Sequence, residues 1–209
     1  MAYPVIFDLD QQPKYDKMQV VIRILILIVL SILGGVFGWA GWLLYLAIPV
    51  LAAILISQKG AQRYFGEAND DIVKWLRIVA AFYSYMFLLT DRLPNEEPKQ
   101  TLRLEISPQG EPTVGGVLLR IIYAIPHAIV LSLLGIVAAL LALIAAIMVL
   151  VQESYPEGIF GFLRGYMRWH ARVAAYMAGL VQDYPPFAFD TGPESPALPA
   201  TAGDQPQTP

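Results

Sequence analysis

Three arginines, Arg164, Arg168 and Arg172, recur at a spacing of four, which aligns them along one stripe of an α-helix. Leu163, Met167 and Trp169 flank the stripe, and tryptophan favours the headgroup level of a bilayer. Trp75 has a comparable setting between Lys74 and Arg77. This chemistry suits an anionic lipid headgroup or an acidic partner, each charge near an anionic surface contributing about 1 kcal/mol. The blander use of the same residues is to orient and snorkel a helix at the cytoplasmic face. The expected lipid or partner contacts are therefore Arg164, Arg168, Arg172, Trp75 and Trp169.

His127 follows Pro126 inside a charge-free stretch. An ionisable group in such a place is a candidate proton relay or metal ligand. No carboxylate, cysteine or second histidine lies in the stretch, and a carbonyl freed by Pro126 offers the ring an ordinary partner. His170 is expected to be interfacial or packed. Asp91 and Asp183 could do acid–base chemistry, but Asp-x-x-Pro at each reads as helix termination and turn. Walker, GxSxG and HExxH motifs are absent from the sequence. With no cysteine, disulfides and thiolate chemistry are excluded. A net charge of −3 gives no nucleic-acid signal. The expectation is a non-enzymatic protein with no cofactor and no metal.

The elements that position these residues follow from composition. The 209 residues are 56% hydrophobic and 15% charged, with a mean hydropathy of +0.54, too apolar for an ordinary soluble domain at about 25% charged. Residues 24–58 and 121–152 carry no charge. A single helix over the second would be about 48 Å long, against a hydrocarbon core of about 30 Å. Each run is therefore expected to be a helical hairpin, spanning or re-entrant, reversing near Gly38 and Gly41 in the first and Gly135 in the second. Arg23 and Arg120, at the outer ends, are expected to snorkel.

Both runs sit in similar surroundings. Val21-Ile22-Arg23-Ile24 parallels Leu118-Leu119-Arg120-Ile121, and Leu30-Ser31-Ile32-Leu33-Gly34 parallels Leu131-Ser132-Leu133-Leu134-Gly135. The segments beginning Lys74-Trp75 and Arg168-Trp169 also correspond. A tandem repeat is expected: units 1–98 and 99–189, followed by a proline-rich disordered tail, 190–209. Each unit opens with an alternating strand, Tyr3 to Leu9 or Leu102 to Ile106; the two are expected to pair with each other or with a partner. An amphipathic helix closes each unit, over 70–90 and 157–182. The fold class is thus mainly α, with about four membrane helices.

All 14 Lys and Arg lie outside the two apolar runs, so both termini, the strands and the amphipathic helices are expected on the cytoplasmic side. The partners expected are anionic membrane lipids, a membrane protein or a second copy of the chain.

Tyr155-Pro156-Glu157-Gly158-Ile159-Phe160, the run from Arg168 to Tyr176, and Asp183-Tyr184-Pro185-Pro186-Phe187 resemble the bacterial domain-of-unknown-function family 4389. Tyr3-Pro4-Val5 and Ile125-Pro126-His127 are similar to it as well. The likeness covers most of 3–189 and is closest in the second unit; the first has no Ile-Pro-His element. It implies a bacterial inner-membrane protein and brings no activity or catalytic residue. The leading expectation is an accessory or scaffold subunit. A lipid-handling or small-molecule transporter and a membrane-shaping hairpin protein are the alternatives.

Overall fold

The structure is a computed structural model that describes residues 3–37, 40–65, 69–92 and 102–194. Strand β1 (Val5–Asp8) leads into α1 (Lys17–Phe37), α2 (Ala40–Lys59), the single turn α3 (Ala61–Arg63) and α4 (Asn69–Met86). Strand β2 (Arg103–Ile106) is followed by α5 (Val114–Tyr123), α6 (Ile125–Gln152) and α7 (Glu157–Met177). The architecture is mostly helical, as expected.

The two strands pair antiparallel, with Val5 opposite Ile106 and Phe7 opposite Leu104. Their period of two sends Val5, Phe7, Leu102 and Leu104 into the core and leaves Arg103 to pair with Glu105 outside. Two four-residue strands are not stable alone. Here each outer edge is closed by an arginine: Arg168 Nε donates to the Phe7 carbonyl at 3.0 Å and Arg77 Nη2 to the Leu104 carbonyl at 2.9 Å. Strand β1 is thus tied to α7 and β2 to α4.

Helices α4 and α7 end alike. Leu88 N bonds Tyr85 O and Leu89 N bonds Ser84 O; Gly179 N bonds Tyr176 O and Leu180 N bonds Ala175 O. Both are Schellman ends closed by a left-handed residue, Leu88 at φ 60 and Gly179 at φ 75. An arginine stacks on the equivalent tyrosine in each case. Arg23 lies 4.1 Å from the Tyr85 ring and donates to Thr90 O; Arg120 lies 4.6 Å from the Tyr176 ring and donates to Tyr176 O and Val181 O. Neither arginine snorkels. Both are buried, because carbonyls at and just beyond the helix ends, with the Asp91 carboxylate beside Arg23, offer an arginine better partners than water at an apolar surface.

The second apolar run is not a hairpin. Helix α6 is continuous through Gly135, since a lone glycine among Leu, Ala, Ile and Val costs a helix only about 1 kcal/mol. Gly135 serves a close approach instead: a Cβ there would lie 2.9 Å from the Tyr166 hydroxyl of α7. The break in the run falls earlier, at Ala124, where α5 ends and Pro126 occupies the first turn of α6. In the first run, the described residues form α1 and α2; the expected reversal at Gly38 lies outside the described residues. Among the described residues, α6 alone is long and apolar enough to cross a membrane, and only 17% of its most apolar stretch is buried.

Candidate functional site

The predicted arginine stripe exists on α7, and its partners are the chain's own. Arg164, Arg168 and Arg172 have side chains 12%, 1% and 7% exposed. Arg168 donates to Phe7 O and Asp190 O at 3.0 and 2.7 Å. Arg172 bonds the carboxylates of Asp190 and Glu194 at 3.2 and 2.7 Å. Arg164 donates to Thr191 O at 2.7 Å and faces Asp8 at 3.6 Å. Burial pulls the Arg168 guanidinium below its ordinary value, and the Glu194 and Asp8 carboxylates oppose that shift. Three cations, Asp8, Asp190 and Glu194 form a nearly neutral ladder.

The ladder fastens residues 189–194 along α7 as a strap. Glu194 accepts from Phe7 N at 2.8 Å and its own amide donates to Asp8 at 2.9 Å, so the free edge of β1 is closed by a carboxylate as well as by Arg168. Gly165 and Gly161 permit the close approach; a Cβ on Gly165 would sit 2.8 Å from Asp190 O. Composition assigned residues 190–209 to a disordered tail; of these, residues 190–194 are described and carry the hydrogen bonds of the strap, and the rest lie outside the described residues. Proline-rich composition argues only that a segment cannot form a core of its own.

His127 and Trp169 meet in a second cluster. Trp169 Nε1 donates to His127 Nδ1 at 3.0 Å. Nδ1 is therefore bare, which leaves the ring proton of the neutral imidazole on Nε2. The Phe187 ring stacks on His127 at 4.1 Å and 13°, and Tyr184 lies 4.8 Å away. Tyr184 also donates to Tyr123 O, and Tyr3 to Asp183 O. The Ile-Pro-His, Arg-Trp-His and Asp-Tyr-Pro-Pro-Phe segments, far apart in sequence, thus build one aromatic cage that docks the chain after α7 onto the start of α6. Trp169 is buried in it rather than turned outward. Asp183 lends its carbonyl there, while Asp91 bonds Arg23 and the Asp16 amide.

Trp75 does not join either cluster. It lines a cavity of about 310 Å³ between α4 and α7, with Tyr83, Phe87, Tyr166, His170 and Ala171 among the walls. Leu104 of β2 and Ile48 of α2 also line it. His170 packs edge-on against Tyr166, ring centres 4.6 Å apart, and burial pushes its imidazole down to about 4.

Sequence reasoning missed Tyr184, Phe187, Asp190, Glu194 and the cavity role of His170. Paired acids in the strap were visible as residues, but no local pattern ties them to arginines on another element. Among the described residues no group of three or more His, Cys, Asp and Glu is placed to hold a metal.

No curated protein and no solved structure matches the chain. The family described as Domain of unknown function (DUF4389) matches residues 115–188, the span that contains α5 from its second residue, α6, α7 and the whole histidine cage.

Proposed function

We propose that the chain is a non-enzymatic integral membrane protein, an accessory or scaffold subunit built by tandem duplication, embedded from its cytoplasmic face. The observation that carries this is the division of its surface. Ile129, Leu133, Ile136, Leu140, Leu143 and Ile147 form an exposed stripe along α6, at alternating steps of three and four. Leu25, Leu27 and Ile28 of α1 and Leu51 and Ile54 of α2 are exposed too. Apolar area on this scale exceeds what a soluble monomer leaves to water. The paired charges gather elsewhere: on β1, β2, α7 and the strap, and where α1 begins and α6 ends, at Lys14, Lys17 and Glu153, with Arg23 and Asp91 beside them. The matched Schellman ends, the Arg23 and Arg120 stacks and the reciprocal Arg77 and Arg168 edge bonds support the duplication.

The same geometry favours re-entry over crossing. Both ends of α6 are tied to the polar layer, Tyr123 O by Tyr184 at one end and Glu153 by Tyr15 N and Lys14 at the other. On this reading four apolar helices, α1, α2, α5 and α6, enter one side of the bilayer. A membrane-shaping role is the second reading, because one-sided insertion acts as a wedge.

Single cysteines at Gly38, at Gln152 on the exposed end of α6 and at Thr201, in a chain with none of its own, test the arrangement. Intact cells are treated with an impermeant thiol reagent. The expected result is no labelling at any of the three, with Thr201 reactive after lysis. Labelling at Gly38 or Gln152 from outside would overturn re-entry, and release of the protein by alkaline carbonate would overturn membrane embedding.

A further inference from the structure

The cavity between α4 and α7 sets one imidazole among walls that suit an alkyl chain. Its lining is almost wholly apolar or aromatic, with no Asp, Glu, Lys or Arg in it. His170 stands in it, half-buried, and among the described residues this imidazole has a ring contact with Tyr166 and no hydrogen bond. Its nitrogens are open to whatever fills the cavity, and an apolar pocket with a polar group placed in it is the usual form of a small-molecule site. We propose that this cavity binds an uncharged single-chain amphiphile, an alkyl body on the apolar walls with one hydroxyl bonded to His170.

Size and charge narrow the ligand. About 310 Å³ equals roughly ten water volumes at about 30 Å³ each, so the bound part has about ten to fifteen heavy atoms. Burial keeps His170 neutral at physiological pH, and no cation lines the walls. A carboxylate or phosphate would lose its hydration there without compensation, whereas a hydroxyl both gives and accepts a hydrogen bond. Trp75 and Tyr83, 41% and 46% exposed, mark the opening. Ile48 of α2 connects the wall to the apolar helices, a route for a chain arriving from a bilayer. The inference stands on the cavity and holds whether the apolar helices cross or re-enter.

The chain has two histidines, so histidine-selective ¹⁵N labelling of the full chain in lipid nanodiscs yields two imidazoles, and His170→Leu assigns them by removing one. Titration with n-decanol is expected to move the His170 nitrogens saturably and leave His127 unchanged. Decane is expected to raise the decanol midpoint without moving the nitrogens itself, and decanoate to do neither. Ala171→Phe, or Ala174→Leu if the first fails to fold, is expected to abolish the response with His127 at its wild-type position. His170→Leu is expected to weaken decanol retention in native mass spectrometry about tenfold, the scale of one hydrogen bond. A His170 that does not respond saturably while His127 reports a folded protein would overturn the proposal. A response that survives cavity filling would do the same, and decanoate acting as strongly as decanol would overturn the uncharged ligand. Retention of a bilayer-derived alcohol or glyceride in the purified wild type, and not in Ala171→Phe, would identify the membrane as the source; response to added decanol alone would identify a soluble one.

Discussion

Arg168 has the least exposed guanidinium of the ladder, and its bonds diverge: Nε goes to Phe7 O and Nη1 to Asp190 O. Removing it leaves Asp8 and Glu194 facing a buried gap, so Arg168→Ala is expected to lower the unfolding free energy by about 3–5 kcal/mol, the range for breaking a buried ion pair. Arg168→Lys should recover little, because one ammonium cannot serve two carbonyls in the fork geometry of a guanidinium. Urea unfolding in a mild detergent, followed by tryptophan fluorescence, measures both. His170 adds a pH dependence. Its folded value is near 4 against an ordinary 6.5, so between these limits the unfolded chain binds the extra proton. Stability is expected to fall as pH drops from about 6.5 to 4, by up to roughly 3 kcal/mol. The same unfolding curves taken across that range should lose this slope in His170→Leu. At this scale the sequence disclosed which residues were unusual and not whom they meet. The arginine stripe was legible because helical spacing is local. Its carboxylates were not, since Asp8 and Glu194 approach it from opposite ends of the chain. His127 was legible as an ionisable group in an apolar run, while its Trp169 donor and Phe187 stack depend on how α6 and α7 cross.

Among the elements, strands and amphipathic helices were legible because their periods are written in a few consecutive residues. The second hairpin was misread because a glycine has two uses, turn and contact, that look the same in sequence. Leu88 shows the converse, a left-handed helix end with no glycine to announce it. The strap offers a direct test of a contact glycine. Gly165→Leu places a side chain against the Asp190 carbonyl and is expected to lift residues 190–194 off α7, whereas Gly158→Ala, with nothing within 4 Å, should leave them seated. Hydrogen exchange of the Phe7 amide reports the difference, because that amide is bonded to Glu194. Fast exchange in Gly165→Leu and slow exchange in Gly158→Ala is the expected pair. Slow exchange in both would mean that the strap does not depend on the glycine.

For the whole molecule, the apolar helices and the ionic layer form two faces of one body. If insertion is one-sided, crowding the protein on a liposome expands one leaflet, so dense reconstitution is expected to draw tubules from vesicles that stay spherical at low density. Electron microscopy of the two preparations decides it, and spherical vesicles at high density would leave the scaffold reading without the wedge. The pairing of β1 with β2 has a temporal consequence as well. A ribosome makes Phe7 long before Leu104, its partner across the pair, and Glu194, which closes the outer edge of β1, comes later still. At about 5–20 residues per second, the first strand waits roughly 5–20 s for its mate. By then α1 and α2 have left the exit tunnel. On the proposed reading of these helices as membrane-embedded, insertion precedes closure, and Glu194 is the latch that follows the pairing.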